Sequence, residues 1–146
     1  MSSASDYLEL EILDHILGEG NRNYTPASNL YIALHTADPT DAGTGSEVAN
    51  LYAYARVNAN VNSSSGAFDA ATQPSTGFTF SANTQTITFP TASTGNWGTV
   101  THVAIWDSGT YGAGNMLFHG ALTASKVVND GDTFQIQAGN LTISLT

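Results

Sequence analysis

The chain is poor in cysteine and in basic residues. Cysteine is absent altogether, so disulfides and thiolate metal sites are excluded. Charged residues make up only 10 %, against roughly a quarter in an average soluble domain. Three of them are basic and twelve are acidic, which gives a formal net charge of −9. Because binding to phosphates depends on Lys and Arg, we expect neither a nucleic-acid partner nor an anionic membrane partner.

Long apolar runs and catalytic motifs are missing as well. No segment approaches the length of a membrane span, and the first residues lack the basic region and apolar core of a signal peptide, so we expect synthesis in a cytoplasm. There is no Gly-x-Ser-x-Gly elbow and no phosphate-binding loop. The acidic pairs 38/41 and 130/132 lack the spacing of a calcium loop. We therefore expect no catalytic residue, no metal and no cofactor.

Thr, Ser, Asn, Gly and Ala take the place of the missing charges, a composition typical of β-strands joined by short turns. One helix is predicted near the N-terminus. Asp6 and Glu9 have the spacing of a capping box with Asp6 as the N-cap. A wide apolar stripe at helical spacing follows, and Gly18 ends it.

Apolar alternation and turn residues predict the strands, which cover 30–36, 51–61, 78–80, 86–89, 100–106, 116–123, 133–137 and 141–145. In the second of these, Tyr52, Tyr54 and Arg56 are expected on one face. About eight short antiparallel strands predict an all-β protein, a β-sandwich or jelly-roll-like fold with one N-terminal helix. We expect a single domain over 1–146, with an arm and helix at 1–18 and the sandwich at 30–146.

The stretch 95–122 contains both tryptophans and two of the four histidines, and it is predicted to be a hairpin with a glycine-rich connection. His102 and His119 then lie on facing strands. A metal site there would need a third ligand that no recognisable spacing supplies, so a structural role is favoured. Core positions are likewise favoured over sugar-stacking roles, with Trp106 filling the core and Trp97 plugging one end of the sandwich.

Several segments in combination resemble a widespread family of small tailed-bacteriophage virion proteins. They read LYIALHTADPTDAGTGSEV, ITFPTAS, NWGTVTHVAIWDSG and MLFHGALTASKVVNDGDTFQIQAGNLTISL, and the resemblance covers nearly the whole chain. Members of that family tend to share a short N-terminal helix followed by these strands and turns. The resemblance implies a virion structural protein. Such proteins are often labelled tail fibre proteins, while some resemble capsid cement proteins.

Within that family we predict a capsid cement (decoration) protein, made in the host cytoplasm and placed on the outer surface of the head. A short, acidic, repeat-free chain suits a rigid body that grips a lattice, where many contacts raise avidity. Its partners would be the major capsid protein and neighbouring copies of itself. The predicted contact residues are Ser2, Ser3, Asp6, Tyr7, Tyr52 and Tyr54. For Tyr52 and Tyr54, packing within the monomer is an equally open alternative.

The alternative function is that of a tail-associated fibre or adhesin protein that binds a host-surface glycan. Exposed aromatic rings would then stack on sugars, and Trp97 and Tyr111 are the candidate platform. The two functions differ in copy number, since a cement protein coats the shell and an adhesin is present in few copies.

Overall fold

A computed structural model describes residues 3–18, 24–60, 67–73 and 79–145. Within these ranges there is one helix, α1 (Asp6–Leu17). The strands there are β1 (Ser3–Ala4), β2 (Tyr31–His35), β3 (Val57–Asn58), β4 (Thr79–Ala82), β5 (Ile87–Thr91), β6 (Gly98–Trp106), β7 (Met116–Val128), β8 (Thr133–Ile136) and β9 (Thr142–Leu145). No helix in this part of the chain is long and apolar enough to cross a membrane.

The described strands form three antiparallel sheets, which confirms the predicted all-β class. A five-stranded sheet has the order β1-β7-β6-β2-β3, and two small sheets pair β4 with β9 and β5 with β8. The main core joins Leu34 and Val103 of the large sheet to Phe89 and Ile136 of the small sheet β5-β8. The small sheets therefore cover one face of the large sheet.

The opposite face of the large sheet carries a second, smaller apolar cluster. Ala33, Ala104, Trp106 and Met116 form it, with Tyr31 packed against it. Alternation along β2 explains the division, since successive side chains of a strand point to opposite faces. This second face is the one beside which the candidate site lies.

Four aromatic rings fill the main core. Tyr54 and Trp97 meet edge to face with ring centroids 5.4 Å apart, and Phe89 and Phe134 do so at 5.8 Å. Such edge-to-face pairs place the positive rim of one ring on the negative face of the other. The Trp97 indole also donates its Nε1–H to the carbonyl oxygen of Tyr52 at 2.9 Å, so its polar atom is satisfied inside the protein.

The predicted strand over 51–61 is mostly wrong. Within the described part of this stretch, 51–60, only Val57–Asn58 are in a strand, because Tyr52 and Ala53 adopt positive φ angles of 55° and 65° and make a turn. That turn breaks the two-residue alternation, so Tyr52 and Tyr54 do not share a face. Tyr52 is 42 % exposed and Tyr54 only 4 %.

The predicted hairpin of β6 and β7 is confirmed, with Ala104 opposite His119 and His102 opposite Ala121. β7 extends to Val128, beyond the predicted end at residue 123. The pairing then jumps to Val100 opposite Lys126, so the stretch 122–125 bulges out of the ladder. A bulge of this kind disturbs the strand edge and makes it a poor template for pairing with another chain.

α1 has a different N-cap from the predicted one. Ser5, and not Asp6, is the N-cap, and its hydroxyl oxygen accepts the Leu8 N–H at 3.2 Å. The predicted end is confirmed, since Gly18 has a left-handed φ of 70° and donates its N–H to the carbonyl of Asp14 at 2.9 Å. Both ends of the helix are therefore satisfied by local hydrogen bonds.

Backbone hydrogen bonds attach the N-terminal arm to the large sheet. β1 pairs with β7, with Ser3 opposite His119. The Ser5 N–H donates to the Leu117 carbonyl at 3.0 Å, and the Asp6 N–H donates to the Asp41 carbonyl at 3.0 Å. The Ser5 hydroxyl also bonds the carbonyl of Met116. These bonds hold Ser5 in an extended conformation, which places the start of the helix there and explains the shifted cap.

A candidate ligand cavity beside the N-terminal arm

A cavity of about 570 Å³ lies between the start of α1, the loop after β2 and the loop between β6 and β7. Its aromatic lining is formed by Tyr7, Trp106 and Tyr111. Its polar lining includes Asp6, His35, Asp41, Ser46, Glu47, Arg56 and Asn115. This volume is within the range of roughly 300–1,000 Å³ that is usual for small-ligand sites.

A buried ion pair forms part of the cavity wall. Arg56 donates from Nε to Oε1 of Glu47 at 2.9 Å and from Nη2 to Oε2 at 2.8 Å. The two side chains are 1 % and 10 % exposed. The guanidinium carbon also lies 3.9 Å from the ring centroid of Trp106, so the cation covers one face of the indole. The pair is bidentate, the geometry in which Arg binds carboxylates most strongly.

Tyr54 connects this ion pair to the core. Its hydroxyl accepts the Leu34 N–H at 3.0 Å and donates to Oε1 of Glu47 at 3.0 Å. Burial, and after it the nearby Glu47 carboxylate, raises the pKa of Tyr54, so the hydroxyl keeps its proton. The Glu47 carboxylate thus accepts from three donor atoms, Nε and Nη2 of Arg56 and the Tyr54 hydroxyl, which fixes its position relative to β2.

The loop over 107–115 carries Tyr111 and is tied down at several points. Arg56 Nη1 donates to the carbonyls of Ser108 and Ala113, both at 2.9 Å. At the base of the loop, the Asp107 carboxylate accepts the backbone N–H of Asn115 at 2.7 Å and its side-chain amide at 2.8 Å. These bonds order the loop that presents Tyr111, which is 42 % exposed.

Two buried nitrogens in the cavity lining residues have no hydrogen-bond partner among the described residues. They are Nε2 of His35 and Nε1 of Trp106. His35 Nδ1 lies 3.3 Å from the carbonyl oxygen of Gly45, so a proton on Nδ1 would make Nε2 an acceptor. Burial lowers the pKa of His35 below its usual value of 6.5, which keeps the imidazole neutral. Buried polar atoms of this kind are rare and often mark functional sites.

The His119 side chain connects β7 to the loop after β2. Its Nδ1 lies 3.3 Å from Oδ1 of Asp38 and its Nε2 2.9 Å from Oδ1 of Asp41. The backbone N–H of Thr40, and after it neighbouring histidine charge, lowers the pKa of Asp38. No set of three or more His, Asp or Glu side chains in the described ranges could hold a metal ion. Asp38 and Asp41, the acidic pair considered above for calcium, thus both contact the His119 imidazole.

The structure brings together some of the predicted site residues and separates the others. Asp6, Tyr7 and Tyr111, predicted for different roles, line the same cavity. Ser3 lies in β1, and Ser2 lies outside the described residues. Tyr52 is exposed on the turn before Tyr54, against Gly95, and does not line the cavity.

Two aromatic residues that were candidates for a surface role, Tyr54 and Trp97, are in the core. Tyr54 is 4 % exposed and Trp97 is 5 % exposed. Neither ring is available at the surface, so Tyr54 does not fit a partner contact and Trp97 does not fit a sugar platform. The core position favoured for Trp97 and the alternative that packs Tyr54 within the monomer agree with the structure. The tryptophan that lines the cavity is Trp106.

Glu47 and Arg56 are among the site residues that the sequence did not predict. A signal for them exists, since Arg56 is the only charged residue between Glu47 and Asp69. A lone Arg in a stretch of apolar and small residues has to find a partner when it is buried. The nearest carboxylate on its N-terminal side is the one that it binds.

The comparisons with known proteins point to phage fibres. A family model described as "Podophage GP4 fiber I protein gp80" matches residues 3–144 of the chain. The chain belongs to this family. Among curated proteins, no match was found. The membership confirms the predicted resemblance to a phage virion structural protein, and its label is that of a fibre.

In this fibre-type virion protein, the cavity lies beside the N-terminal arm, and the family model matches the chain from residue 3 of that arm. The described residues that line the cavity supply groups suited to binding. The cavity combines exposed aromatic surface, several hydrogen-bond acceptors and a structurally fixed loop, which are the parts of a binding site for a small polar molecule. The capsid cement role stays a prediction.

Proposed function

We propose that this fibre-type virion protein binds a neutral saccharide of the host surface in the cavity beside its arm, without catalysis. The observation that carries the proposal is the convergence of Tyr7 and Tyr111 with Asp41 and Asn115 around one cavity of ligand size. Aromatic rings offer flat apolar faces to the C–H side of a sugar, while carboxylate and amide groups bond its hydroxyls.

The charges around the cavity favour a neutral ligand over an anionic one. Asp6, Asp41 and Glu47 all contribute carboxylates, and Arg56 is the one Lys or Arg among the described residues that line the cavity. Its guanidinium is already bound to Glu47 and to two loop carbonyls. An acidic sugar would therefore meet uncompensated negative charge, which opposes binding.

The test compares two tyrosines of equal exposure. Tyr111 and Tyr52 are each 42 % exposed, and only Tyr111 lines the cavity. Neutral oligosaccharides and their sialylated counterparts are titrated into the purified chain, and binding is followed by calorimetry or by NMR. Tyr111→Ala should weaken binding of the neutral sugar by about tenfold or more, equal to about 1.4 kcal/mol. Tyr52→Ala should leave it unchanged.

Two results would contradict the proposal. One is that no neutral saccharide binds while the folded protein is intact. The other is that Tyr52→Ala and Tyr111→Ala weaken binding equally, since the loss would then not come from the cavity.

The second candidate function is the capsid cement role, in which the protein binds the major capsid protein and neighbouring copies of itself on the outer head surface. The net charge of −9 and the compact sandwich support it, because an acidic body suits the outside of a shell that holds DNA. The mass ratio of this chain to the major capsid protein in purified virions separates the candidates. One copy per few capsid subunits supports cement, and a handful per particle supports a fibre.

A further inference from the structure

The helix α1 exposes an apolar face that the sandwich does not use. Leu10 is 50 % exposed, Leu13 56 %, Ile16 70 % and Leu17 64 %. Leu8 is the buried residue of the helix. An apolar stripe on a helix typically faces the core of its own domain. Contiguous exposed apolar surface of this kind marks an interaction site more often than not.

The mode of attachment of the arm explains why this stripe remains exposed. The arm is held by the β1–β7 pairing and by the backbone bonds of Ser5 and Asp6 at the start of the helix. Leu10 and the apolar residues after it lie beyond these attachment points in the chain, and their side chains are exposed. Leu10, Leu13 and Leu17 follow the spacing i, i+3, i+7, which places them in one row along the helix.

Charge and area argue against a second copy as the occupant of this face. At 100° per residue, Glu9 and Asp14 fall on opposite sides of the row, and α1 contains no Lys or Arg. Two such helices would bring like charges together. A helix of 12 residues is about 18 Å long, so a helix pair alone would bury far less than the roughly 800 Å² per partner of a stable interface.

We infer that α1 docks its apolar face into an apolar groove, rimmed by basic residues, on a different protein of the virion. A groove contacts the row of leucines from both sides and from above, whereas a single facing helix contacts it from above alone. Basic residues on the rim would face Glu9 and Asp14 and steer the acidic subunit into place. The docking would attach the subunit to the particle and leave the cavity open.

The test uses full-length chains assembled into virions. The face variant is Leu13→Gln with Leu17→Gln. The matched control is Leu51→Gln with Val127→Thr, at positions that are 58 % and 61 % exposed and outside α1. The amount of this chain per virion is measured by quantitative mass spectrometry. The face variant should be incorporated about tenfold less or worse, and the control at the wild-type level. Incorporation of the face variant at the wild-type level would overturn the inference.

Charge reversal tests the basic rim. Glu9→Lys should lower incorporation several-fold, whereas Asp130→Lys, which makes the same charge change in the turn before β8, should not. Equal incorporation of Glu9→Lys and wild type would overturn the inference that basic residues of the partner surround the groove. Sedimentation of the purified chain should show a monomer. A dimer that the face variant abolishes would show that the occupant is a second copy, and the inference would be wrong.

The inference does not rest on the saccharide cavity. The purified face variant should bind neutral sugar as wild type does, so a failure of either proposal can be recognised separately.

Discussion

At the scale of single residues, Glu47 and Arg56 form a buried, bidentate ion pair in the cavity wall. Both side chains are almost fully buried, and removing two charges from water is costly. The cost is offset by the bidentate bonds between them, by the two loop carbonyls that Arg56 reaches and by the Tyr54 hydroxyl. The buried pair is therefore stable only while both charges and their hydrogen-bond partners are all present.

We expect Glu47→Gln to destabilise the protein by about 3–5 kcal/mol, because the buried Arg56 guanidinium loses its counter-charge. Urea unfolding of the variant checks this value. The double variant Glu47→Gln with Arg56→Met should recover part of the loss, since no buried charge is then left unpaired. A Glu47→Gln protein as stable as wild type would show that the pair is solvated in solution.

His35 makes stability depend on pH. Burial lowers its pKa below 6.5, so the folded state favours the neutral imidazole more than the unfolded state does. Its contribution is therefore present above pH 6.5 and is lost as the pH falls towards the lowered pKa, with a slope of up to about 1.4 kcal/mol per pH unit. Asp38, whose pKa is lowered below 3.8, loses its contribution only in more acidic solution.

The measurement is the free energy of unfolding at about pH 7.5 and about pH 5.5, for wild type and for His35→Gln. Wild type should lose more stability over this interval than the variant, which has no imidazole at this position. Equal losses would mean that another group carries the pH dependence.

At the scale of elements, the loop over 107–115 is the part of the β6–β7 hairpin that serves the site. Its backbone is closely packed, since a Cβ at Gly114 would lie 2.3 Å from the Cβ of Ser108 and 2.5 Å from Oδ1 of Asp107. Gly112 has a similar positive φ, 72° against 80°, but a Cβ there would meet no atom within 4 Å. Comparing an alanine substitution at Gly112 with one at Gly114 therefore separates the cost of a left-handed φ from the cost of crowding by neighbouring atoms.

Gly112→Ala should cost about 1–2 kcal/mol of stability, the usual penalty for a left-handed Ala. Gly114→Ala should cost clearly more and should also weaken sugar binding, because the loop that carries Tyr111 must open. Urea unfolding and the saccharide titration check both effects. If the two variants lost equal stability, the loop around Gly114 would not be closely packed in solution.

At the scale of the whole molecule, the net negative charge opposes self-association, whereas the exposed apolar face of α1 favours it. The net charge of −9 keeps copies apart at neutral pH, while α1 offers surface on which they could associate. The balance depends on pH, since the charge vanishes near the isoelectric point of about 4.3.

We therefore expect the purified chain to self-associate as the pH approaches 4.3, and Leu13→Gln with Leu17→Gln to reduce that association. Light scattering over a pH series measures it. The Leu51→Gln, Val127→Thr control should associate as wild type does. If both variants behave alike, general charge loss and not α1 is responsible.

Much of the fold could be predicted from local patterns. The alternation in 30–36 and 100–106 predicts β2 and β6, and Gly18 ends α1 as expected. The turn at Tyr52 and Ala53 could not be predicted, because non-glycine residues at positive φ have no distinctive sequence signal. The candidate site was predicted only in part, through Asp6, Tyr7 and Tyr111.

The sequence by itself determined the β class, the helix, the hairpin and the acidic surface, because these depend on local periodicity and composition. Only the tertiary structure decided that Tyr54 is buried, that Arg56 reaches Glu47 and the loop before β7, and that the stripe of α1 faces solvent. The physical reason is that burial and pairing depend on contacts between residues far apart in the chain. The same apolar pattern in α1 would suit a core face or a docking face, and the backbone bonds that hold the arm select between them.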